Sequence, residues 1–316
     1  DLVGMAFGNG LGSEEKFAHC FTVSGKDRKD SKILHEFPRF LLRIAAKLPL
    51  RALHAVGTVL GWLVYGISPT YRRNLRQNLA LAGYADAGTR REAIVAAGRM
   101  VAELPALWFR PQQEVAALVK GVEGAVDEAL AAVAQGRPLL FFAPHMGSFE
   151  ITSQYASQRS PITVLYRPPK MRWLEPAMRE GRARGRVRLA PADLSGVREL
   201  MTALKRGEAA GFLPDQVPGE GEGEWAEFFG RPAYSMTLAA KLAERAGLET
   251  FLAYARRLPR GAGFVLVLRR LPPKQAGESA TRRVNRAVEA LVRECPGQYL
   301  WGYTRYTRPR GAPPPP

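Results

Sequence analysis

His145 and Glu150 are the two residues of this sequence whose types and spacing best suit a reaction. Apolar residues of strand character lead up to His145, while Pro144 and Gly147 break the chain on either side of it before helical residues begin. Along one continuous helix the two side chains would point well apart, so they can meet only if a turn intervenes. A carboxylate beside one imidazole nitrogen fixes the tautomer, and the other nitrogen can then take a proton from a hydroxyl. The spacing therefore predicts a hydroxyl-activating dyad at the end of a strand.

Two other interpretations of His145 stay open at this point. One is a structural histidine that caps the end of a strand. The other is a zinc ligand, which is less well supported because the sequence has no H-E-x-x-H pair and its cysteines, Cys20 and Cys295, lack metal-ligand spacing. No metal or other cofactor is therefore expected. The two distant cysteines also indicate no disulfide framework, which fits a reducing compartment.

The elements around the dyad alternate between strand and helix patterns. Strands are predicted at 138–142, 162–166, 209–213, 250–257 and 264–271, the last two as a hairpin, and helices at 72–81, 90–109, 122–135, 194–206, 235–246 and 280–294. This order predicts an α/β protein with a mixed, largely parallel central sheet flanked by helices. The strand at 209–213 ends in a second polar loop, which carries Asp215 and Gln216. Asn74 and Asn78, one helical turn apart, are predicted to be surface or capping groups.

The chain divides into four segments by composition. Residues 1–36 are rich in Gly, Lys and Asp and have no apolar period, so they are expected to be disordered or a non-native extension. Residues 37–70 are predicted to form a membrane-associating helix, and residues 71–309 the main α/β domain. Residues 310–316, which end in four prolines, are expected to be a disordered tail.

The stretch 40–67 is the candidate membrane element. In its first half, basic residues recur on successive turns among apolar ones, which is typical of a basic amphipathic helix. Its second half, 52–67, is apolar apart from His54 and is shorter than the roughly 20 residues of a comfortable membrane crossing. A short tilted crossing, a helix lying in the membrane interface and a buried core helix all remain open.

The sequence is strongly basic. Lys and Arg number 46 against 29 Asp and Glu, a net charge of +17, so anionic partners are expected. Nucleic acid, an acidic carrier protein, a phosphorylated substrate and an anionic membrane all fit this charge. Arginines are concentrated between Arg172 and Arg188, and arginine forks suit phosphate oxygens. A solvated helix face or a nucleic-acid patch is the alternative, but the run lacks the interleaved aromatics of single-strand binders.

Several motifs follow one another in a diagnostic order. They are the basic-apolar N-terminal helix, Pro144-His145-x4-Glu150, Leu165-Tyr166-Arg167, Gly181-Arg182, Leu213-Pro214-Asp215-Gln216, Phe228-Phe229-Gly230 and Gln298-Tyr299-Leu300-Trp301. Taken together, they resemble the lipid A late acyltransferases, the lauroyl and myristoyl transferases of the glycerolipid-acyltransferase-like superfamily. The resemblance covers residues 38–309. The superfamily more often has Asp than Glu in the dyad, but Glu keeps the carboxylate.

The resemblance implies a glycerolipid-acyltransferase-like fold, with residues 71–309 as the acyltransferase domain. It implies transfer of a fatty acyl chain from acyl carrier protein to a hydroxyl of a phosphorylated glycolipid, a lipid A precursor. The reaction would take place at the cytoplasmic face of the bacterial inner membrane, whose anionic surface would be a further partner. No nucleic-acid partner is implied.

The resemblance also implies roles for individual residues. His145 would be the general base, and Glu150 would orient it. Arg182 would support the dyad or the oxyanion, and Arg167 would bind phosphate or developing charge. The Asp215-Gln216 pair would shape the site. Direct attack on the thioester needs no covalent acyl-enzyme, and the sequence has no G-x-S-x-G elbow and no cysteine with a histidine partner.

Other functions stay open from the sequence alone. A basic nucleic-acid-binding protein is favoured by charge, and a membrane-attached scaffold could keep the fold without turnover. A nearer alternative is an acyltransferase whose acceptor is a lysophospholipid or another glycolipid. The acyl-chain length cannot be read from the residues, because an apolar pocket discriminates one methylene by only about 1–3 kcal/mol.

Overall fold

The computed structural model describes residues 39–169 and 171–316. The expected extension at residues 1–36 lies outside the described residues. Residues 39–46 are helical. The helices that follow are α1 Leu50–Ile67, α2 Pro69–Leu81, α3 Ala87–Phe109, α4 Gln112–Ala117, α5 Val126–Ala134, α6 Phe149–Ala156, α7 Glu175–Arg182, α8 Leu194–Lys205, α9 Thr237–Ala243 and α10 Ala280–Glu294. The strands are β1 Val119–Gly124, β2 Leu139–Phe142, β3 Ile162–Tyr166, β4 Val187–Pro191, β5 Ala209–Phe212, β6 Gly223–Phe228, β7 Arg231–Met236, β8 Glu249–Arg257 and β9 Phe264–Arg270.

A seven-stranded sheet forms the centre, in the order β1-β9-β8-β2-β5-β3-β4. Neighbouring strands are parallel except β8 and β9, which form an antiparallel hairpin, and β6 pairs with β7 in a separate antiparallel ribbon. The prediction of a mixed, largely parallel sheet flanked by helices is confirmed, and so is the hairpin. Because β5 inserts between β2 and β3, the loops that follow β2 and β5 emerge side by side at one edge of the sheet.

The central strands are short and apolar for a physical reason. Helices cover both faces of a parallel sheet, so its inner strands are apolar throughout rather than alternating. β2 reads Leu-Leu-Phe-Phe and β5 reads Ala-Ala-Gly-Phe, and every residue of β5 is buried. The small side chains of Ala209, Ala210 and Gly211 in β5 leave space above this part of the sheet, next to the loops that carry the candidate site.

The structure differs from the predicted elements in three places. The predicted helix 122–135 begins as the edge strand β1 and becomes helical only at Val126; Gly124, whose φ is 90°, ends the strand. The arginine-rich run contains both helix α7 and strand β4, and the ribbon β6–β7 was not predicted at all. Each missed strand is stabilised by pairing with a partner distant in sequence or across a tight turn, which local periodicity does not reveal.

Helix α1 packs along α3 through glycines. A Cβ atom on Gly98 of α3 would lie 1.9 Å from the carbonyl oxygen of Gly57 and 2.5 Å from the nitrogen of Gly61, both on α1. The opposite face of α1 carries exposed apolar side chains: Val56, Val59, Trp62, Leu63 and Ile67. Among the described residues α1 is the one helix long and apolar enough to cross a membrane by length and composition, and a third of it is buried. A buried core helix does not fit this exposure.

Candidate active site

The candidate site lies where the loops after β2 and β5 meet. His145 follows β2 by three residues and Asp215 follows β5 by three, and the two strands are paired in parallel with Phe142 opposite Phe212. Both side chains are buried, with exposures of 6% and 4%. Two loops that the sequence shows far apart are thus brought into direct contact by the strand order.

Asp215 holds the His145 imidazole. The ring nitrogen Nδ1 lies 2.9 Å from Oδ1 of Asp215, and the backbone N–H of His145 donates to Oδ2 over 3.0 Å. The side-chain amide Nε2 of Gln216 donates to Nε2 of the ring over 3.2 Å. These partners assign the proton to Nδ1 and leave the lone pair on Nε2. The arrangement is that of a general base with its tautomer fixed by a carboxylate.

Glu150 has different partners from those predicted. Its carboxylate accepts from Nε of Arg182 at 3.1 and 3.0 Å and from Nη2 of the same guanidinium, and the Trp108 indole N–H donates to Oε2 over 3.3 Å. The prediction that Glu150 orients the His145 ring is therefore corrected, because Asp215 occupies that position. That Arg182 supports the dyad or the oxyanion stays a prediction; its guanidinium contacts the carboxylate of the H-x4-E motif.

The electrostatics of the site favour an ionised Asp215. Burial alone would raise the pKa of this carboxyl, but the charge that His145 carries when protonated and the hydrogen bonds from its ring and backbone outweigh burial and lower the pKa. Burial also raises the pKa of the Tyr299 hydroxyl well above its ordinary value, and the Asp215 charge adds to this effect. The site therefore holds a carboxylate beside a neutral phenol.

The loop that carries His145 is held by the backbone of the C-terminal segment. The N–H of Leu300 donates to the carbonyl of His145 over 3.0 Å, and the N–H of Gly147 donates to the carbonyl of Gln298 over 2.9 Å. Gly147 has a φ of 56°, and a Cβ there would lie 2.2 Å from the carbonyl oxygen of Ala255. Only glycine fits this position, because it tolerates the positive φ and has no Cβ atom to clash with Ala255.

Two asparagines of α2 support the same segment from behind. Asn78 donates through Nδ2 to the carbonyls of Trp301 (2.7 Å) and Tyr303 (2.8 Å), and Asn74 is also buried. The prediction that both are surface or capping groups is wrong, because spacing along a helix does not tell which face is covered. The Tyr303 hydroxyl accepts from the N–H of Val217, so the same segment also contacts the loop that carries Asp215.

Arg167 lies at the edge of the site. It is exposed at the end of β3 and has no ion-pair partner within residues 39–169 and 171–316. Burial raises the pKa of the nearby Tyr303 hydroxyl, and the charge of Arg167 is among those that oppose this shift. Within the same ranges no group of three or more His, Cys, Asp or Glu side chains could hold a metal ion.

An apolar cavity of about 140 Å³ opens beside the site. Phe149 and Glu150 line it, and the Phe149 ring packs edge-on against the His145 ring with centroids 5.0 Å apart. Its lining includes both the first and last residues of β5 and of β3, so the cavity runs along the strands for on the order of 13 Å. Ala129 and Val133 of α5 also line it. The shape suits an extended apolar chain with one end near Phe149, which packs against the histidine.

Comparison with known proteins gives a consistent result. The model of the bacterial lipid A biosynthesis acyltransferases matches residues 31–308. The chain belongs to this family. It is similar to the lipid A biosynthesis lauroyltransferase of Escherichia coli K12, at 27% identity over 289 residues that cover 86% of this chain and 91% of the relative. It is also similar to the lipid A biosynthesis palmitoleoyltransferase of the same strain, at 26% identity with 86% and 90% covered.

Family membership gives the class of reaction that the site serves, acyl transfer in lipid A biosynthesis. The resemblance inferred from the ordered motifs is thereby confirmed. The two relatives are named for different acyl chains, lauroyl and palmitoleoyl, at nearly equal identity to this chain. Overall similarity therefore does not fix the chain that this acyltransferase transfers.

Proposed function

We propose that this acyltransferase moves a fatty acyl chain from acyl carrier protein to a hydroxyl of a phosphorylated lipid A precursor, without a covalent acyl-enzyme. The observation that carries the proposal is the His145 ring. Its Nδ1 is held by Asp215, its Nε2 keeps the lone pair, and the neighbouring Phe149 ring lines an apolar cavity. A base with this tautomer, next to a pocket for an alkyl chain, suits the activation of a hydroxyl for attack on an acyl thioester.

The proposed reaction has two steps, attack of the acceptor hydroxyl on the thioester and cleavage of the C–S bond. The acceptor hydroxyl displaces the Gln216 amide from Nε2 of His145 and gives its proton to that nitrogen as its oxygen bonds to the thioester carbon. The C–S bond then breaks, and the imidazolium returns the proton to the departing thiolate. Asp215 stabilises the imidazolium through Nδ1 and does not itself take up the proton, which agrees with the lowered pKa of its carboxyl.

Glu150 and Arg182 take a second role in this proposal. Two nitrogens of the guanidinium are held by Glu150, while Nη1 of Arg182 has no hydrogen-bond partner among the described residues. Arg182 also lines the cavity, so Nη1 is available to donate to the thioester oxygen as negative charge develops there. Glu150 would then position Arg182 rather than the base.

The cavity would hold the acyl chain. It is lined by small and apolar side chains from α5, α6 and the sheet, and each methylene buried there contributes about 0.8 kcal/mol. Ala129 belongs to the buried cluster that contains the first residues of β2, β3, β4 and β5, whereas His145 follows the last residue of β2, so we place Ala129 toward the end of the cavity away from His145. A larger side chain at this position would shorten the space for the chain.

The exposed apolar face of α1 and residues 39–46 would lie in the interface of the inner membrane at its cytoplasmic face. Of the large apolar side chains that are exposed within the described residues, most are on this face: Phe40, Leu41, Ile44, Leu48, Val56, Val59, Trp62, Leu63 and Ile67. Since α1 packs along α3 over its buried side, lipid cannot surround it, which favours an in-plane helix over a crossing. The excess of basic residues would attract the anionic leaflet, the acidic carrier and the acceptor phosphates, and Arg167, exposed just after β3, would bind phosphate.

Mass spectrometry of the products tests the proposal. Purified protein is mixed with acyl-carrier-protein donors of several chain lengths and with either a tetra-acylated lipid A precursor or a lysophospholipid. We expect the precursor to gain one acyl mass, and the gain to disappear in His145→Ala. Undiminished transfer by His145→Ala would refute the mechanism, and transfer only to the lysophospholipid would assign a different acceptor. Salt-sensitive binding of DNA or RNA without any acyl transfer would favour the nucleic-acid alternative.

A further inference from the structure

A buried ion pair lies behind the loop of His145. Arg257, at the end of β8, donates through Nε to Oε2 of Glu103 on α3 (2.9 Å) and through Nη2 to Oε1 (2.7 Å). The two side chains are exposed by only 4% and 1%. His54 of α1 adds a third group, since its Nε2 lies 3.1 Å from Oε2 of Glu103. None of these three residues has a part in the proposed chemistry.

The guanidinium of Arg257 also reaches the catalytic loop. Its Nη2 donates to the carbonyl oxygen of Gly147 over 2.8 Å. The N–H of Gly147 is bonded to the carbonyl of Gln298, and the Gln298 side chain in turn bonds the backbone N–H and carbonyl of Arg257. Both peptide groups of Gly147 are therefore fixed by one connected set of buried hydrogen bonds, two residues from the base.

A buried ion pair is not by itself a good way to gain stability. Removing two charges from water costs several kcal/mol per ion, and apolar residues of similar volume often stabilise a fold as well or better. The pair would nevertheless be useful where a charged group must hold a backbone carbonyl at a fixed position. Only arginine offers enough donors in one plane to serve a carboxylate and a carbonyl together.

We propose that Arg257 is a positioning residue for the general base and is itself held in place by Glu103. His54 connects the membrane-facing helix α1 to the same hydrogen-bond network. This inference rests on the proposed role of His145. Arg257 keeps the turn at Gly147 in the conformation that holds the His145 ring between Asp215 and Gln216. Misplacement of a reacting group by about 1 Å can cost 10²-fold in rate, so a loosened loop would lower kcat. KM would change little, because the acyl cavity and the membrane face are untouched.

The test separates positioning from simple stabilisation. The double variant Arg257→Met/Glu103→Gln removes both charges, keeps the volume and leaves an acceptor for His54. Because no unpaired charge remains buried, its unfolding midpoint should fall much less than that of Arg257→Met alone, which leaves the Glu103 carboxylate buried without its cation. The matched control is Arg286→Gln, which removes an ion pair with Glu278 that does not contact the loop.

We expect the double variant to lose 10- to 100-fold in kcat with KM within threefold of the wild type. Hydrogen–deuterium exchange in the peptide of residues 141–149 should become faster, since the N–H groups of Gly147 and Ser148 are bonded to neighbours of Arg257. Arg257→Lys, which keeps a cation with several donors, should recover part of kcat. Arg286→Gln should change neither kcat nor exchange in that peptide.

Wild-type kcat in the double variant, or equal exchange in the double variant and the control, would overturn the inference. The exchange measurement needs no turnover, so it decides the positioning role even if the wild type transfers no acyl group. Absence of transfer by the wild type would instead count against the proposed function.

Discussion

Replacing Asp215 with asparagine is the sharpest test of how the base is held. Both carboxylate oxygens of Asp215 accept a hydrogen bond from His145, one from the ring and one from the backbone N–H. An amide has only one acceptor oxygen, so in either orientation its NH₂ group must face one of these donors. Asp215→Asn therefore keeps the volume but cannot keep both bonds.

The size of the effect follows from which bond is lost. If the NH₂ faces the backbone N–H, a buried donor is left unpaired at a cost of about 1–3 kcal/mol. If the NH₂ faces the ring, Nδ1 becomes the acceptor, the proton moves to Nε2, and the base is lost in the resting enzyme. General-base catalysis is worth about 10²–10⁴-fold, so kcat should fall within that range. Asp215→Ala should behave similarly.

The assay is the initial rate of acyl transfer over a range of acceptor concentrations and pH. Glu150→Gln is the matched comparison, because it makes the same change on the carboxylate that contacts Arg182. If Asp215 orients the base, Asp215→Asn should lower kcat, while Glu150→Gln should leave the pH profile of the base in place. A normal rate in Asp215→Asn together with an altered pH profile in Glu150→Gln would refute the arrangement and restore Glu150 as the orienting group.

Three further outcomes are expected. Gly98→Ala should lower the unfolding midpoint, at a cost of about 1–3 kcal/mol or more, because its Cβ meets the α1 backbone; Gly66→Ala, with nothing within 4 Å, should raise the midpoint slightly. Ala129→Phe should shift the preferred donor in the mass-spectrometric assay toward shorter chains, and an unchanged preference would count against the cavity. Hydrogen bonding from Arg286 lowers the pKa of Glu278 to about 2. Urea unfolding should therefore show the full stability difference between the wild type and Arg286→Gln above the ordinary carboxyl pKa of 4.5. The difference should vanish as the pH falls to about 2 and Glu278 becomes protonated.

The sequence patterns predict the sheet and single out His145, but they do not identify the carboxylate that contacts its ring. Strand patterns and polar loops locate His145 and Asp215 separately, each at the end of a strand. What brings them together is the insertion of β5 beside β2, a pairing between segments about seventy residues apart that no local pattern encodes. The short distance in sequence favours Glu150 as the partner of the His145 ring. The helix that starts at Phe149 instead directs the Glu150 side chain toward Arg182.

The supporting residues are harder to predict for a related reason. Asn78, Arg257 and Glu103 lie on helices or strands whose periodicity indicates burial but not function. Their roles depend on backbone carbonyls of distant loops, and a backbone carbonyl has no signature in the sequence. One signal was available: His54 is the polar interruption of an otherwise apolar stretch, and a buried polar residue needs a partner.

The N-terminal helices are connected to the site by two separate routes, and this changes how membrane binding should be tested. Residues 39–46 reach the site through α7, where Glu180 accepts from Arg39 and Arg43 and Arg182 pairs with Glu150. The other route is the set of buried bonds from His54 on α1 to Gly147.

Deleting residues 1–67 would therefore disturb the proposed base as well as the proposed membrane contact, and a loss of activity would not distinguish the two. Substitution on the exposed face avoids this problem. Val59→Ser/Leu63→Ser should lower recovery on anionic vesicles while the fold and the soluble-substrate rate persist, and Val122→Ser, at another exposed apolar position, should not. Equal vesicle binding by both variants would mean that α1 is not the surface that meets the membrane.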